Sequence, residues 1–266
     1  MSATIAIRNV RDRRHGLIGW GVGMVALVLT YALFYPSIRE NAGDLQRYID
    51  NLPEALRNIF GESADFATPT GYLQTELFST MGPLLLLILA IGAGARAIAG
   101  EEEARTLDLL LANPVRRRRV VLEKFGALLA TTFAVGALLW VSIAAFGPPF
   151  ELHVGLAKVA AATVSAVLLA IAFGAIALFL GCLRGSRALA TGVTSALAVG
   201  TFLLNALAPS IAGIEFLEKA SPFYYYMGGD PLRNGLTPVH GLVLVGIAAA
   251  ALMGAIAVFD RRDLAA

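Results

Sequence analysis

Residues 77–98 read LFSTMGPLLLLILAIGAGARAI, residues 100–119 read GEEEARTLDLLLANPVRRRR and residues 122–146 read LEKFGALLATTFAVGALLWVSIAAF. Two apolar runs, each of the roughly 20 residues that a helix needs to cross a hydrocarbon core, flank one charged turn. That alternation decides the fold, because a helical hairpin of this kind crosses a bilayer twice and leaves a polar elbow on one side of it.

The rest of the chain agrees. Its 266 residues are 57% hydrophobic and only 15% charged, with a mean hydropathy of +0.71, too apolar for a water-soluble domain of that size. Outward from the hairpin, further apolar runs at 17–35, 154–180, 188–208 and 239–259 join 77–98 and 122–146 to make six spans in a single transmembrane domain, 1–266. The expected class is an all-α integral membrane protein.

Six spans place both termini on one face, and the distribution of Lys and Arg says which. Arg8, Arg11, Arg13, Arg14, Arg96, Arg105, Arg116 to Arg119, Lys124, Arg184, Arg187, Arg261 and Arg262 fall on the face of the termini. Arg39, Arg47, Arg57, Lys158, Lys219 and Arg233 fall on the other. By the positive-inside rule both termini are cytoplasmic, N-in and C-in, in a cell (inner or plasma) membrane. A net charge of +2 hides this asymmetry. The basic clusters read as topology determinants beside anionic lipid, with no nucleic-acid partner. Arg8 to Arg14 ahead of an apolar run imitate a secretory signal, but the run has full span length and no small-residue cleavage site, so a retained first helix is expected.

Enzyme signatures are missing. There is no G-x-x-x-x-G-K-[ST] loop, no H-E-x-x-H and no G-x-S-x-G, and His15, His153 and His240 stand apart. The single cysteine, Cys182, makes neither a disulfide nor a metal site. No catalytic residue, metal or cofactor is expected on this chain. No ionisable side chain falls near the middle of an expected span, which argues against an ion-coupled pump. Thr191, Thr194, Ser195, Thr201 and Asn205 on the fifth span and Ser142 on the third either line a pathway or bond neighbouring or local backbone. The pathway candidates are Thr194, Thr201 and Asn205. Gly174 and Gly181 support close helix packing.

Two external segments carry pattern. In 36–76, Leu45, Tyr48, Ile49 and Leu52, then Leu56, Ile59 and Phe60, recur at helical spacing around Pro53, predicting two short amphipathic helices with acidic outer faces. The segment 209–238, with Ser221-Pro222-Phe223-Tyr224-Tyr225-Tyr226-Met227, is apolar enough to dip back towards the membrane, its tyrosines suiting an aromatic belt.

In the hairpin, Glu101 and Arg105 stand i, i+4, three glutamates sit at the positive end of a helix, and Leu107, Leu110 and Leu111 form an apolar stripe, predicting an amphipathic helix over 101–112. Asn113-Pro114 reads as N-cap and first helical position of a second helix that runs through the arginines into the third span. Such an elbow suits docking of a soluble partner.

With these residues in view, the chain resembles a permease subunit of the ABC-2 type ATP-binding-cassette transporters. That family carries G-E-x-E-x-G-T-L-E-x-L-L-x-x-P-[VI]-x-R between its second and third helices. Gly100, Glu101, Glu103, Thr106, Leu107, Leu110, Leu111, Pro114, Val115 and Arg117 stand at the matching positions. Arg105 replaces a Gly, which favours a continuous helix, and Asp108 replaces a Glu. The tail Phe259-Asp260-Arg261-Arg262-Asp263-Leu264 is similar to the family's F-x-R-R-D-L. The resemblance implies a coupling-helix hairpin between helices 2 and 3, docking to two copies of a cytoplasmic phosphate-loop ATPase that carries ATP and Mg, and pairing with a second permease subunit as a homodimer in the membrane lipid. It implies export, with Glu101, Glu103, Arg105, Thr106, Leu107, Leu110, Pro114 and Arg117 in coupling. Two other classes stay open: a mechanotransmitting component acting on a periplasmic partner, and an ATPase-independent scaffold or channel.

Overall fold

The computed structural model describes residues 14–44, 47, 51, 66, 68–105, 116–211 and 213–262, all helix or short connection. Among them six helices are long and apolar enough to cross a membrane. These are α1 (Arg14–Glu40), α2 (Pro69–Ala97), α4 (Arg117–Phe146), α5 (Leu156–Arg184), α6 (Arg187–Leu207) and α9 (Pro238–Arg261). Between them lie the short helices α3 (Ala99–Glu103), α7 (Pro222–Met227) and α8 (Pro231–Asn234). The chain is a multi-pass, all-helical membrane protein.

α5 is the centre. α2, α4, α6 and α9 all pack on it, and small residues set how close they come, since between apolar helices in lipid, van der Waals contact rather than water exclusion drives association. At the tightest point a Cβ on Gly94 of α2 would stand 2.1 Å from the Gly174 carbonyl oxygen of α5, so the two backbones touch. A Cβ on Gly136 of α4 would meet Val167 Cγ2 at 2.3 Å. Gly174 therefore supports close helix packing, as its size suggests. The hydroxyls of Thr132, Ser142 and Thr201 donate to their own helices, to Leu128, Leu138 and Leu197 carbonyls.

The second span begins at Pro69, not at 77, and takes half-buried Glu76 out of the expected external segment. The local signals are a cap and a proline: Thr68 accepts from the Gly71 N–H at 3.2 Å, and Pro69 opens the helix. Gln74, Thr75 and Glu76 depress the hydropathy there and mask the helix from a window average. The residues that mark the two predicted helices, Leu45, Tyr48, Ile49 and Leu52, then Leu56, Ile59 and Phe60, lie outside the described residues.

Residues Leu73–Met81 of α2 are π-helical. The Gly82 N–H returns to the Leu77 carbonyl, and the next residue, Pro83, has no N–H, so the Phe78 carbonyl is left without a partner on its own helix. The Tyr226 hydroxyl fills it from α7, donating at 2.5 Å. An orphan carbonyl in a bilayer costs several kcal/mol, which gives this tyrosine its position.

The segment around α7 does dip into the bundle. Ser221, fully buried, donates to the Thr201 carbonyl and caps Phe223 N–H, while Phe223 packs on Phe173 of α5 and Phe202 of α6. Tyr226 is thus an internal residue and not part of an interfacial belt; burial pushes its hydroxyl pKa up. Tyr224 and Tyr225 are half-buried around the His240 ring.

Candidate functional site

At the end of the bundle where α9 finishes, Ile98 (φ −116°) separates α2 from α3, and the three glutamates of α3 leave in three directions. Glu101 pairs with Lys124 of α4, whose side chain is almost wholly buried. Glu102 forms a two-pronged pair with Arg262 at the end of α9, Oε1 to Nη2 at 2.6 Å and Oε2 to Nη1 at 3.0 Å. Arg262 Nη1 also donates to the Cys182 carbonyl of α5 at 3.2 Å. Glu103 Oε1 accepts the Arg187 backbone N–H of α6 at 2.8 Å. That N–H belongs to the unpaired first turn of α6, where a carboxylate also meets the positive end of the helix.

Arg117 completes the arrangement. In the first turn of α4, it donates through Nη1 to the carbonyls of Phe259, at 3.2 Å, and Arg262, and its guanidinium carbon lies 5.9 Å from the centre of the Phe259 ring. One five-residue helix is therefore tied to α4, α6 and the end of α9 by charge-assisted bonds, which are roughly twice as strong as neutral ones, and is linked to α5 through Arg262. Gly185, the C-cap of α5 at φ +65°, makes room for this. A Cβ there would stand 2.5 Å from Arg262 Nη2 and 2.6 Å from Glu102 Oε1.

The expected helix over 101–112 is interrupted. α3 ends at Glu103, and Arg105 adopts φ +54°, the left-handed region that glycine takes most readily. Arg105 thus turns the backbone instead of prolonging the helix, and past the helix end it is no longer at a helical i, i+4 position to Glu101. Nor does a helix run unbroken from Pro114 into α4: Arg116 is extended (φ −66°, ψ 131°), and α4 starts at Arg117. Thr106, Leu107, Leu110 and Pro114 lie outside the described residues.

Within the membrane part, a cleft of about 630 Å³ opens between α2 and α6. Leu84, Leu87, Ile88, Ile91, Val199 and Phe202 line it, with Ser79 and Thr80 at the end away from α3. Trp20 of α1 and Phe223 of α7 also border it, and Arg96 and Arg187 close the end nearest α3.

Residues 3–264 match the family model described as ABC-2 family transporter protein. The chain belongs to the ABC-2 transporter family. No curated protein matches it in sequence. Permeases of the ABC-2 family are membrane transport components, generally non-catalytic, that work with an ATPase partner.

The ABC-2 motif residues that the structure describes are brought together at one place: Glu101, Glu103 and Arg117 all belong to the tied cluster, and exposed Arg105 marks its edge. The pathway candidates are not brought together. Thr194 is fully buried, Thr201 bonds its own helix and Asn205 is half-buried farther along α6. Thr191 and Ser195 of α6 border the cleft instead. Sequence reasoning missed Glu102, Lys124, Gly185 and Arg262 as members of the cluster. Arg262 had a signal in the family-like tail, and Lys124 had one as a lysine inside an apolar run.

Proposed function

We propose that the chain is the transmembrane permease subunit of an ATP-driven exporter. A separate cytoplasmic ATPase, in two copies, docks on the hairpin between α2 and α4 and carries the ATP and Mg, and two permease chains pair as a homodimer. Both termini are cytoplasmic, the tied cluster faces the cytoplasm, and Thr106, Leu107, Leu110 and Pro114 form the docking surface beyond it. The pathway follows the α2–α6 cleft, with Thr191 and Ser195 on its wall, Thr201 and Asn205 farther out, and Thr194 behind it.

The observation that carries this reading is the attachment of Glu101, Glu102 and Glu103 to α4, the end of α9 and α6, with Arg262 carrying the Glu102 tie on to α5. A push on the hairpin is delivered to α4, α6 and α9, and through Arg262 to α5, because a short helix held by two ion pairs and one bond from a helix N-terminus moves with what it is tied to.

The test is affinity purification of the full chain from native membranes in mild detergent, with identification of a stoichiometric phosphate-loop ATPase and assay of ATP hydrolysis. Leu110→Asp is expected to lose the ATPase while keeping membrane insertion, and Glu102→Gln to keep the ATPase but transport several-fold less. A well-folded chain that never co-purifies an ATPase overturns the proposal.

A further inference from the structure

The π-helical segment Leu73–Met81 of α2 has two hydrogen-bond registers open to it, and a residue on another element that chooses between them. In the register of this structure the Gly82 N–H returns to the Leu77 carbonyl, and because Pro83 has no N–H, the Phe78 carbonyl depends on the Tyr226 hydroxyl. In an α-helical register the Gly82 N–H takes Phe78 instead, and the carbonyl left facing Pro83 is that of Ser79. Pro83 therefore costs the helix one bond in either register. Only the position of the bare carbonyl moves.

Three further observations suit a segment that changes register. A Cβ on Gly82 would stand 2.8 Å from the Leu77 carbonyl oxygen, so the π turn closes only over glycine. The Ser79 hydroxyl donates to the Gln74 carbonyl at 2.7 Å and the Thr80 hydroxyl to the Glu76 carbonyl at 3.0 Å, so these acceptors keep a donor while the backbone N–H groups exchange partners. Gln74 Oε1 is buried with no hydrogen-bond partner among the described residues, a desolvation cost that the π register carries.

We propose that Leu73–Met81 is a two-register switch and Tyr226 its latch. With α7 seated, Tyr226 holds the Phe78 carbonyl and the segment is π-helical; with α7 withdrawn, Gly82 takes that carbonyl, the segment becomes α-helical and the Ser79 carbonyl is the free acceptor. Both sides of the segment are held: Gly94 lies on Gly174 of α5, and the Tyr72 hydroxyl donates to the Tyr31 carbonyl of α1 at 3.0 Å. Each π turn holds about one residue more than an α turn, so nine residues conceal roughly two, about 3 Å of helix at the α-helical rise. A change of register between these anchors reaches α1, which packs chiefly on α4, and turns Ser79, Thr80 and Met81 on the cleft wall. α2 thereby reports, along its own length, whether the segment between α6 and α9 is seated in the bundle.

The test is a cycle on the purified full chain in lipid nanodiscs, read by thermal melting. Gly82→Ala is expected to lower the melting temperature while Tyr226 is present, because its Cβ blocks the π turn. In Tyr226→Phe the segment is already α-helical and alanine is the better helix former, so the same change is expected to raise the melting temperature or leave it where it is. Tyr224→Phe, on the same helix but packed on His240, keeps the loss seen in the parent. A nitroxide scan over residues 73–81, with the single cysteine removed as Cys182→Ala, gives the geometry. The period of oxygen accessibility exceeds about 3.6 residues in the parent and falls to about 3.6 in Tyr226→Phe and in Gly82→Ala.

A loss from Gly82→Ala that persists in Tyr226→Phe means that the π turn stands without its latch, and overturns the proposal. Absence of a loss in the parent overturns it too, since Gly82 then does not select the register. So does a loss that Tyr224→Phe abolishes as well, which is general loosening of α7. If Tyr226→Phe does not fold, the scan in Gly82→Ala decides alone: a period of about 3.6 residues upholds the switch, and the parent's period overturns it. No ATPase enters any arm, so the switch and the exporter reading stand or fall separately.

Discussion

Arg262 grips Glu102 across the bare backbone of Gly185: the two ion-pair contacts of 2.6 and 3.0 Å close over a residue whose Cβ would stand 2.5 Å from Nη2. The end of α9, the start of the hairpin and the end of α5 therefore meet at a point where no side chain fits.

Gly185→Ala is expected to open this contact. The left-handed backbone alone costs an alanine about 1–2 kcal/mol, and the methyl group displaces both the carboxylate and the guanidinium. A thermal melt of the purified chain in detergent should fall, and Arg262→Ala should then add little further loss. Full additivity of the two changes would separate Gly185 from the ion pair.

The Glu101–Lys124 pair is expected to behave as a buried pair whose members are dangerous alone. Lys124→Met or Glu101→Gln leaves its partner in a poorly solvated place and costs about 3–5 kcal/mol, while the double variant regains most of that loss. Chemical denaturation of the four proteins makes the cycle. Equal, additive losses would show that the two side chains do not depend on one another.

Tyr226→Phe is expected to lose about 1–3 kcal/mol by orphaning the Phe78 carbonyl. In a Pro83→Ala background the penalty should shrink, since residue 83 then supplies an N–H to the π-helical turn. Hydrogen exchange over 73–82 read beside the melts reports the same coupling. An unchanged penalty in that background would mean that Phe78 does not choose its partner in this way.

How much of this was legible in sequence depends on the range of the physics. The six spans were, because hydropathy acts over about 20 residues and tolerates local noise; only Gln74, Thr75 and Glu76 hid the first turns of α2, where the Thr68-Pro69 capping signal was the better guide. The motif at 100–117 was legible as a place but not as a geometry. Local spacing offered Glu101 a partner at Arg105, whereas the fold gives it Lys124 and sets Arg105 at φ +54°. The ties of Glu102 and Glu103 join residues far apart in the chain, which no periodicity records. The cleft escaped for a similar reason. Thr191 and Ser195 differ from Thr194 only in which way α6 faces once α2 and α5 have packed on it.

The Glu102–Arg262 pair joins positions 160 residues apart, and that separation has a meaning in time. During synthesis α3 leaves the ribosome long before residue 262 does. Glu101 can meet Lys124 early and Glu103 can meet the amide of Arg187 later, but the last tie waits until the sixth span has been delivered. α3 therefore gains its last tie only at the end of biogenesis, so that its full attachment distinguishes a finished chain from a nascent one.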